Sequence, residues 1–384
     1  MSDAKSQYMD LYNRFVQLGK EPSFEFRMKA VLTGSLKDFD DYCCAPSEYR
    51  EDAIAAMIQS LLEFDVFKAC VMSVLVGSYV EAGYEDEKLD TVITFCNKLT
   101  DLCLDFVAAL CDSVGITTDD FEVEKFAEVF HSRNQEELMS IHPDGYRAFL
   151  GSNLAIPGIM AVICKSQRRR DALRGRTEDF MILSELLEKF DFLVRVMTMC
   201  EEKKIIVINP ATKSGVEIIA KEIENNFNLF SLLQLCLYQS GFLDAIGAKY
   251  AYNEEIDKLA HNLFEGEKPE VSSDNAVLQY YTYLALQADG SFKTKEGGQV
   301  YEMGMIWGEG NIAEIPEFCG DTVILVDKNI LYNRSWADGF LTPVHYSIRP
   351  SLEIVRNLEV SETEDLLKRI VAENEGNRKA SKDA

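Results

Sequence analysis

The spacing of apolar residues is the feature that most constrains how this chain folds. From the N-terminus to about residue 200, apolar side chains recur every three or four positions, as they do along the buried face of an amphipathic helix. The clearest such stripe consists of Phe95, Leu99, Leu102, Phe106 and Leu110. The pattern predicts an all-helical domain over residues 1–202, arranged as a helical bundle or an irregular solenoid-like stack.

The apolar pattern changes after Lys203. Two short β-branched runs, residues 205–208 and 216–219, flank a turn-rich segment and predict a β-hairpin. Later spacing predicts helices over 227–239, 253–264 and 275–287, strands near 299–306, 322–327 and 352–358, and a last helix from Ser361. We therefore expect a mainly α protein whose second, smaller α+β domain spans 203–373, with a disordered polar tail over 374–384.

Acidic side chains outnumber basic ones by 64 to 39, which gives the chain a net charge of −25. A surface of this sign repels phosphate backbones and anionic lipids and attracts basic protein surfaces. We therefore expect a basic protein partner and no direct binding to nucleic acid or membranes. Solubility alone is the simpler explanation of the same charge balance.

The ten cysteines lie mostly within apolar helical stretches, whereas secreted disulfide scaffolds place them in the loops of short chains. The N-terminal residues are polar and contain no apolar signal-peptide core. The most apolar run, residues 69–77, is shorter than the about 20 residues that a membrane span requires. These features predict reduced cysteines and a cytoplasmic location.

Carboxylates are densest between Glu81 and Glu124, where twelve of them accompany only two lysines. The candidate partner-binding residues of this acidic band are Asp101, Asp105, Asp112, Asp119 and Asp120. A high density of carboxylates accelerates association with a basic partner and resembles the row of phosphates along a nucleic-acid backbone. A solvated surface on two helices explains the same residues without any partner.

One basic run stands against this background, with six positive side chains among the twelve residues from Lys165 to Arg176. The planar guanidinium group of arginine can form two hydrogen bonds with a carboxylate or a phosphate. The run therefore predicts either a site for a phosphorylated ligand or intramolecular ion pairs that clamp the acidic band. Cations are also favoured at the C-terminus of a helix, which is a third explanation.

The segment from Trp307 to Trp336 holds both tryptophans of the chain beside glycine turns. Aromatic residues in such a setting line interfaces and pockets, and they also cap small α+β cores. The candidate binding residues here are Trp307, Glu309, Arg334 and Trp336.

Catalytic signatures are weak in this sequence. A nucleophile pair can be drawn from Cys319 and His345, but nothing in the sequence brings them together. The four histidines are widely separated, and the sequence contains no zinc-binding motif, no phosphate-binding glycine loop and no nucleophile elbow. We therefore predict no catalytic residue, no metal and no cofactor.

Together these observations favour a non-enzymatic protein-binding module, in concrete form an immunity or inhibitor protein that covers the cationic site of a toxin or nuclease. One alternative is a scaffold in a larger assembly, and the main alternative is an enzyme or binding protein for a small molecule. Its pocket is expected between the helical and C-terminal parts, lined by Trp307, Glu309, Arg334, Trp336 and His345.

Overall fold

The computed structural model describes residues 2–117, 120–264, 276–292, 304–328 and 342–383, with side chains from residue 4 to residue 377. The chain divides into two compact units, Met1–Met197 and Thr198–Ala384. The first unit is helical, and the second combines helices with a mixed sheet. The predicted fold class, mainly α with an α+β C-terminal part, is confirmed.

The first unit contains many short and medium helices. They are α1 (Ser2–Lys20), α2 (Met28–Val31), α3 (Gly34–Cys44), α4 (Arg50–Ser60), α5 (Val66–Glu81), α6 (Asp90–Asp112), α7 (Val123–Ser132), α8 (Gln135–Ile141), α9 (Pro143–Ile163), α10 (Gln167–Leu173), α11 (Thr177–Ser184) and α12 (Phe190–Thr198). Polar side chains fix some of the helix starts, since Asp65 accepts from the Lys68 N–H and Asn134 from the Glu137 N–H.

Helices α5 and α9 form the centre of the first unit. Both are apolar on almost every side, and they cross closely at Gly77 and Gly158. A Cβ atom at Gly77 would lie 2.6 Å from the Gly158 Cα, so the crossing requires glycine there. Helix α9 is the one described helix long and apolar enough to span a membrane, and 78% of its most apolar window is buried, as is usual for a core helix.

Helical spacing in the sequence also predicts one helix over about 144–174, kinked or divided at Pro157-Gly158, and one over about 177–201. The structure divides both. The helix expected over 144–174 is divided into α9 and α10, because the chain turns after Ile163; Pro157 lies within α9 and does not divide it. The helix expected over 177–201 is divided into α11 and α12 and stops before Cys200, which already belongs to a strand.

The second unit contains a six-stranded sheet among its described residues. Its strands are β1 (Cys200–Asn209), β2 (Ser214–Ile223), β3 (Leu278–Thr282), β4 (Glu317–Phe318), β5 (Asp321–Lys328) and β6 (Ser351–Asn357), and its helices are α13 (Asn226–Gln239), α14 (Phe242–Ala245), α15 (Glu254–Ala260) and α16 (Val360–Asp383). The strand order is β3-β5-β1-β2-β6, with β4 paired to β5. Strands β1 and β2 form the predicted hairpin, and β1 is parallel to β5.

Side chains alternate between the two faces of the sheet along each strand. Apolar side chains occupy both faces, and helices cover both. On one face, Ile205, Val207 and Tyr280 pack with Phe230 of α13. The other face carries Ile206, Ile208, Tyr281 and Val323, which pack with Ile370 of α16. The result is a three-layer arrangement of helix, sheet and helix.

Three predictions for the second unit are changed by the structure or fall outside it. Residues 278–282 of the predicted helix over 275–287 form β3, because their aromatic and β-branched side chains fit the pairing with β5. The predicted strand near 299–306 lies mainly outside the described residues. Helix α16 reaches Asp383 and so covers the segment expected to be a disordered tail; Asn374 anchors it by donating to the Tyr283 and Leu286 carbonyls.

Candidate functional site

Three of the predicted partner-binding residues, Asp101, Asp105 and Asp112, lie on one exposed side of α6, here called the acidic face. Spacings of four and seven residues place them within roughly 40° of each other around the helix axis and along about 16 Å of its length. The opposite side of α6 carries the apolar stripe that includes Phe95, Leu99 and Phe106, and these side chains are buried in the core. The helical period therefore separates a carboxylate face from a core face.

The three aspartates differ in their ion pairing. Asp101 accepts a hydrogen bond from Arg176 at 2.7 Å, and Arg176 also pairs with Asp179. Within the described part of the chain, neither Asp105 nor Asp112 pairs with a cation. Asp112 is the last residue of α6, and the final turn of this helix holds no basic residue. The acidic face thus carries two uncompensated carboxylates near the negative end of the helix dipole.

The other predicted residues are distributed over the molecule. Asp120 is exposed and accepts a hydrogen bond from the Thr117 hydroxyl at 2.8 Å. Asp119, Arg334 and Trp336 lie outside the described residues, so the structure does not place them.

Trp307 and Glu309 lie on the surface of the second unit. The Trp307 side chain is 52% exposed, and the Asn226 amide holds the turn around it by donating to the Trp307 carbonyl at 2.9 Å. The Gly308 and Gly310 carbonyls accept from backbone N–H groups at the start of α13. Trp307 is therefore an exposed aromatic side chain on a rigid turn.

Cys319 and His345 have different partners in the second unit. Cys319 lies in the turn between β4 and β5, where its sulfur accepts a hydrogen bond from Arg369 at 3.1 Å. His345 accepts from the Ser347 N–H through Nδ1, and its ring stacks on Tyr346. These contacts give no support to the nucleophile pair that the sequence allowed.

The basic run from Lys165 to Arg176 acts as an intramolecular clamp, one of the explanations that the sequence left open. Arg168 forms a two-pronged ion pair with Asp90 at 2.7 and 2.8 Å, and Arg169 donates to the same carboxylate at 3.0 Å. Hydrogen bonding to Arg168, helped by Arg169, lowers the pKa of Asp90 below its ordinary range. Arg170 is buried and donates to the Cys164 carbonyl at 2.9 Å, which satisfies the C-terminal end of α9.

The second unit contains a cleft of about 1000 Å³ that no sequence pattern indicated. None of the predicted site residues lines it. Its polar residues include Asn209, Asp289 and Asp327, which lie in turns or at a strand end. Turn chemistry at Asn209-Pro210 and Asp289-Gly290 was visible in the sequence, but turns of this kind are too common to indicate a cleft.

Comparison of the chain with protein-family models, with curated proteins and with solved structures gives no match to any of them.

Proposed function

We propose that the first unit is a non-enzymatic protein-binding module whose acidic face receives a basic partner protein. In its concrete form the protein is an immunity protein or inhibitor that covers the cationic site of a toxin or nuclease. The observation that carries this proposal is the presence of Asp105 and Asp112 at positions where ionised carboxylates weaken the helix that bears them.

Two electrostatic effects make these positions unfavourable. Asp105 follows Asp101 by four residues, and like charges at this spacing destabilise a helix by about 0.2–0.5 kcal/mol. The ion pair between Arg176 and Asp101 reduces this repulsion and leaves part of it in place. Asp112 lies at the negative end of the α6 dipole, where a carboxylate costs about 0.3–1 kcal/mol. Carboxylates that served solubility alone would do so equally well at positions without these penalties. Their concentration here favours a role in binding.

The charge around the acidic face supports electrostatic capture of a basic protein. Residues 51–150, the stretch of sequence that contains α6, hold 20 acidic and 6 basic side chains, and arginines of the run 165–176 offset part of this excess at Asp90 and Asp101. Two of those six, Lys68 and Arg147, are buried and contribute little to the surface. A field of one sign raises association rates with an oppositely charged partner and weakens as salt is added. None of the ten cysteines forms a disulfide bond, which suits an inhibitor that acts in the cytoplasm.

The test is affinity capture from a lysate of the native host with three full-length baits at low and at moderate salt. One bait is the natural chain, the second carries Asp105→Asn with Asp112→Asn, and the third carries Glu25→Gln with Asp38→Asn. The control pair is exposed, lies in the same unit and removes the same charge. Captured proteins are identified by mass spectrometry and then purified for binding kinetics.

We expect the natural chain and the control to capture a basic protein that the Asp105 and Asp112 variant retains poorly. With the purified partner, that variant should associate about tenfold more slowly at low salt. It should also be as stable as the natural chain or slightly more stable, which excludes misfolding as the cause. Partners that are neutral or acidic, or equal capture by both variants, would contradict the proposal.

A further inference from the structure

Three tyrosines group together on the surface of the second unit and are here called the tyrosine cluster. Tyr238 lies in the last turn of α13, and Tyr250 and Tyr252 lie between α14 and α15. Tyr238 is 42% exposed and Tyr252 is 47% exposed, whereas Tyr250 is partly buried against the apolar core. Tyrosine offers a large contact area at a low cost in conformational entropy, so clustered exposed tyrosines are typical of binding surfaces.

The three rings hold one another in place. The ring centres of Tyr238 and Tyr252 lie 6.4 Å apart with their planes 15° from parallel, and Tyr250 packs on Tyr238 at 5.4 Å with the planes 51° apart. The Tyr252 hydroxyl donates to Asp257 Oδ2 at 2.7 Å, which fixes the more exposed ring. Because these contacts are already formed, a ligand that packs on the two exposed rings does not have to order them.

The carboxylate of Asp257 sets the charge of this surface. Its side chain is 23% exposed. Burial, helped by Asp257, raises the pKa of Tyr250 to about 12, and the hydrogen bond to Asp257 raises the pKa of Tyr252 above its ordinary value. Both phenols therefore stay neutral at physiological pH. The faces of aromatic rings attract cations, so the rings and the carboxylate favour the same sign of ligand charge.

The rings are not already covered by a cation of the described chain. Among the described residues, no lysine or arginine lies over a ring of the tyrosine cluster. Lys258, next to Asp257 on α15, pairs with Glu254 at 2.7 Å. The imidazole of His261 lies 3.4 Å from Asp257 Oδ1, the oxygen that Tyr252 does not use. Each carboxylate oxygen has two acceptor positions, so Asp257 can accept a further hydrogen bond.

A guanidinium group fits this surface better than other charged groups. It is planar and weakly hydrated, it stacks on aromatic faces, and its N–H fork donates to carboxylates. An ammonium group is a strongly hydrated point charge and gains less from two nearly parallel rings. Two rings that remain almost half exposed form an open surface, whereas small molecules are mostly enclosed by their pockets. The guanidinium group is therefore expected on a side chain that a larger molecule presents.

We propose that the tyrosine cluster binds an arginine side chain of a partner protein, with the guanidinium group stacked on Tyr238 and Tyr252 and donating to Asp257. The net charge of −25 favours the approach of the basic protein that carries such an arginine. The inference stands on residues of the second unit and does not depend on the acidic face of α6.

The test compares three blocked pentapeptides, Gly-Ser-X-Ser-Gly, in which X is arginine, lysine or citrulline, the neutral analogue of arginine with nearly the same shape. Binding to the full-length chain is measured by ligand-observed NMR at physiological ionic strength. We expect the arginine peptide to bind with a Kd below about 5 mM, the lysine peptide at least about threefold more weakly and the citrulline peptide at least about tenfold more weakly.

The lysine peptide carries the same charge and controls for general attraction to an acidic protein. Free arginine, which also carries a carboxylate, should bind more weakly than the peptide. No saturable binding of the arginine peptide, or equal binding of the lysine peptide, would overturn the proposal. Binding of free arginine as tight as that of the peptide would assign the surface to a small molecule and would also overturn it.

Variants then locate the binding on the tyrosine cluster. Tyr252→Leu should weaken binding of the arginine peptide at least about fivefold, and Tyr252→Phe, which keeps the ring, should bind within about twofold of the natural chain. Asp257→Asn should weaken binding about threefold.

The matched control is Tyr346→Leu, at a tyrosine that is 48% exposed in the same unit and makes no ring contact with the cluster among the described residues. This control and the Asp105 and Asp112 variant of the first unit should bind the arginine peptide normally. Melting temperatures verify that each variant is folded. If folded Tyr252→Leu and Asp257→Asn bind like the natural chain, the site is wrongly placed.

Discussion

The two units carry almost the same excess of negative charge but use their polar side chains differently. Residues 1–197 hold 34 acids and 21 bases, and residues 198–384 hold 30 acids and 18 bases. In the first unit, buried arginines pair with carboxylates and with backbone carbonyls. In the second, neutral asparagines hold the loops, and the ion pairs lie at the surface. Net charge alone therefore says little about how charge contributes to a fold.

The first unit buries charged groups in pairs. Arg147 and Asp65 are both buried and lie 3.3 Å apart, and Arg147 also donates to the Ser23 carbonyl at 3.2 Å. Arg169 is buried beside Asp90, and Arg170 is 2% exposed at the end of α9. A helix end presents several carbonyls that point the same way, and the guanidinium fork can satisfy more than one of them.

The second unit relies on single amide donors. The side chains that donate to a backbone carbonyl in this way are Asn209, Asn226, Asn228, Asn262, Asn311 and Asn374. Each joins segments distant in sequence, for example Asn209 to the Val326 carbonyl at 2.9 Å. The accepting carbonyls lie in turns, at the ends of helices or in a strand, and a neutral amide pairs with them without the desolvation cost of a buried charge. This unit should therefore be less sensitive to pH and salt.

The largest effect that would sharpen this comparison is expected from Arg170→Ala. Loss of the buried guanidinium leaves the Cys164 carbonyl without that donor and opens a cavity, so unfolding of the first unit should become easier by about 3 kcal/mol. Arg168→Ala, at a side chain that is 67% exposed, should cost much less, because solvent screens an ion pair at the surface. Hydrogen exchange resolved by peptides measures both. Equal losses would show that the burial of the arginine is unimportant.

The next effect is expected from Asn262→Gly in the second unit. Asn262 has a left-handed backbone, φ 54°, and donates to the His345 and Ile348 carbonyls at 2.9 and 2.8 Å. Glycine keeps the backbone but leaves both carbonyls without the amide, so stability should fall by about 2 kcal/mol.

The matched control for Asn262→Gly is Lys213→Gly, which has φ 59° and a solvent-accessible side chain and should change stability by less than about 1 kcal/mol. Tryptophan fluorescence reports on this unit alone, since both tryptophans follow residue 197. If the control loses as much stability as Asn262→Gly, the loops do not depend on their amides.

The smallest effect concerns pH and Asp90. Arg168 and Arg169 lower the pKa of this carboxyl in the folded state, so its contribution is present above its ordinary value of 3.8 and is lost as pH falls through the lowered value. Asp90→Asn should therefore cost about 1 kcal/mol at neutral pH and progressively less below about pH 3.8. Urea unfolding of both proteins across this range provides the measurement. If the difference in unfolding free energy between the two proteins stayed constant across this pH range, the ion pair would not be its cause.

Local patterns predicted much of the architecture. Helical spacing indicated α6 and α13, and the paired β-branched runs indicated the β1–β2 hairpin, because these elements bury side chains that are neighbours in sequence. The same reasoning failed at residues 278–282, where Tyr280 and Tyr281 suit a helix stripe as well as a strand. Pairing with β5, more than forty residues away in sequence, decided the outcome.

For the candidate sites, the sequence by itself determined that Asp101, Asp105 and Asp112 share one face of a helix, because the helical period fixes the direction of each side chain. Only the tertiary structure decided that Arg176 pairs with Asp101, while no cation among the described residues pairs with Asp105 or Asp112. It alone assembled the cleft from a hairpin turn, two strand segments, a loop and one side of α16. Contacts between residues so distant in sequence depend on how whole elements pack, and no local pattern of residues specifies that packing.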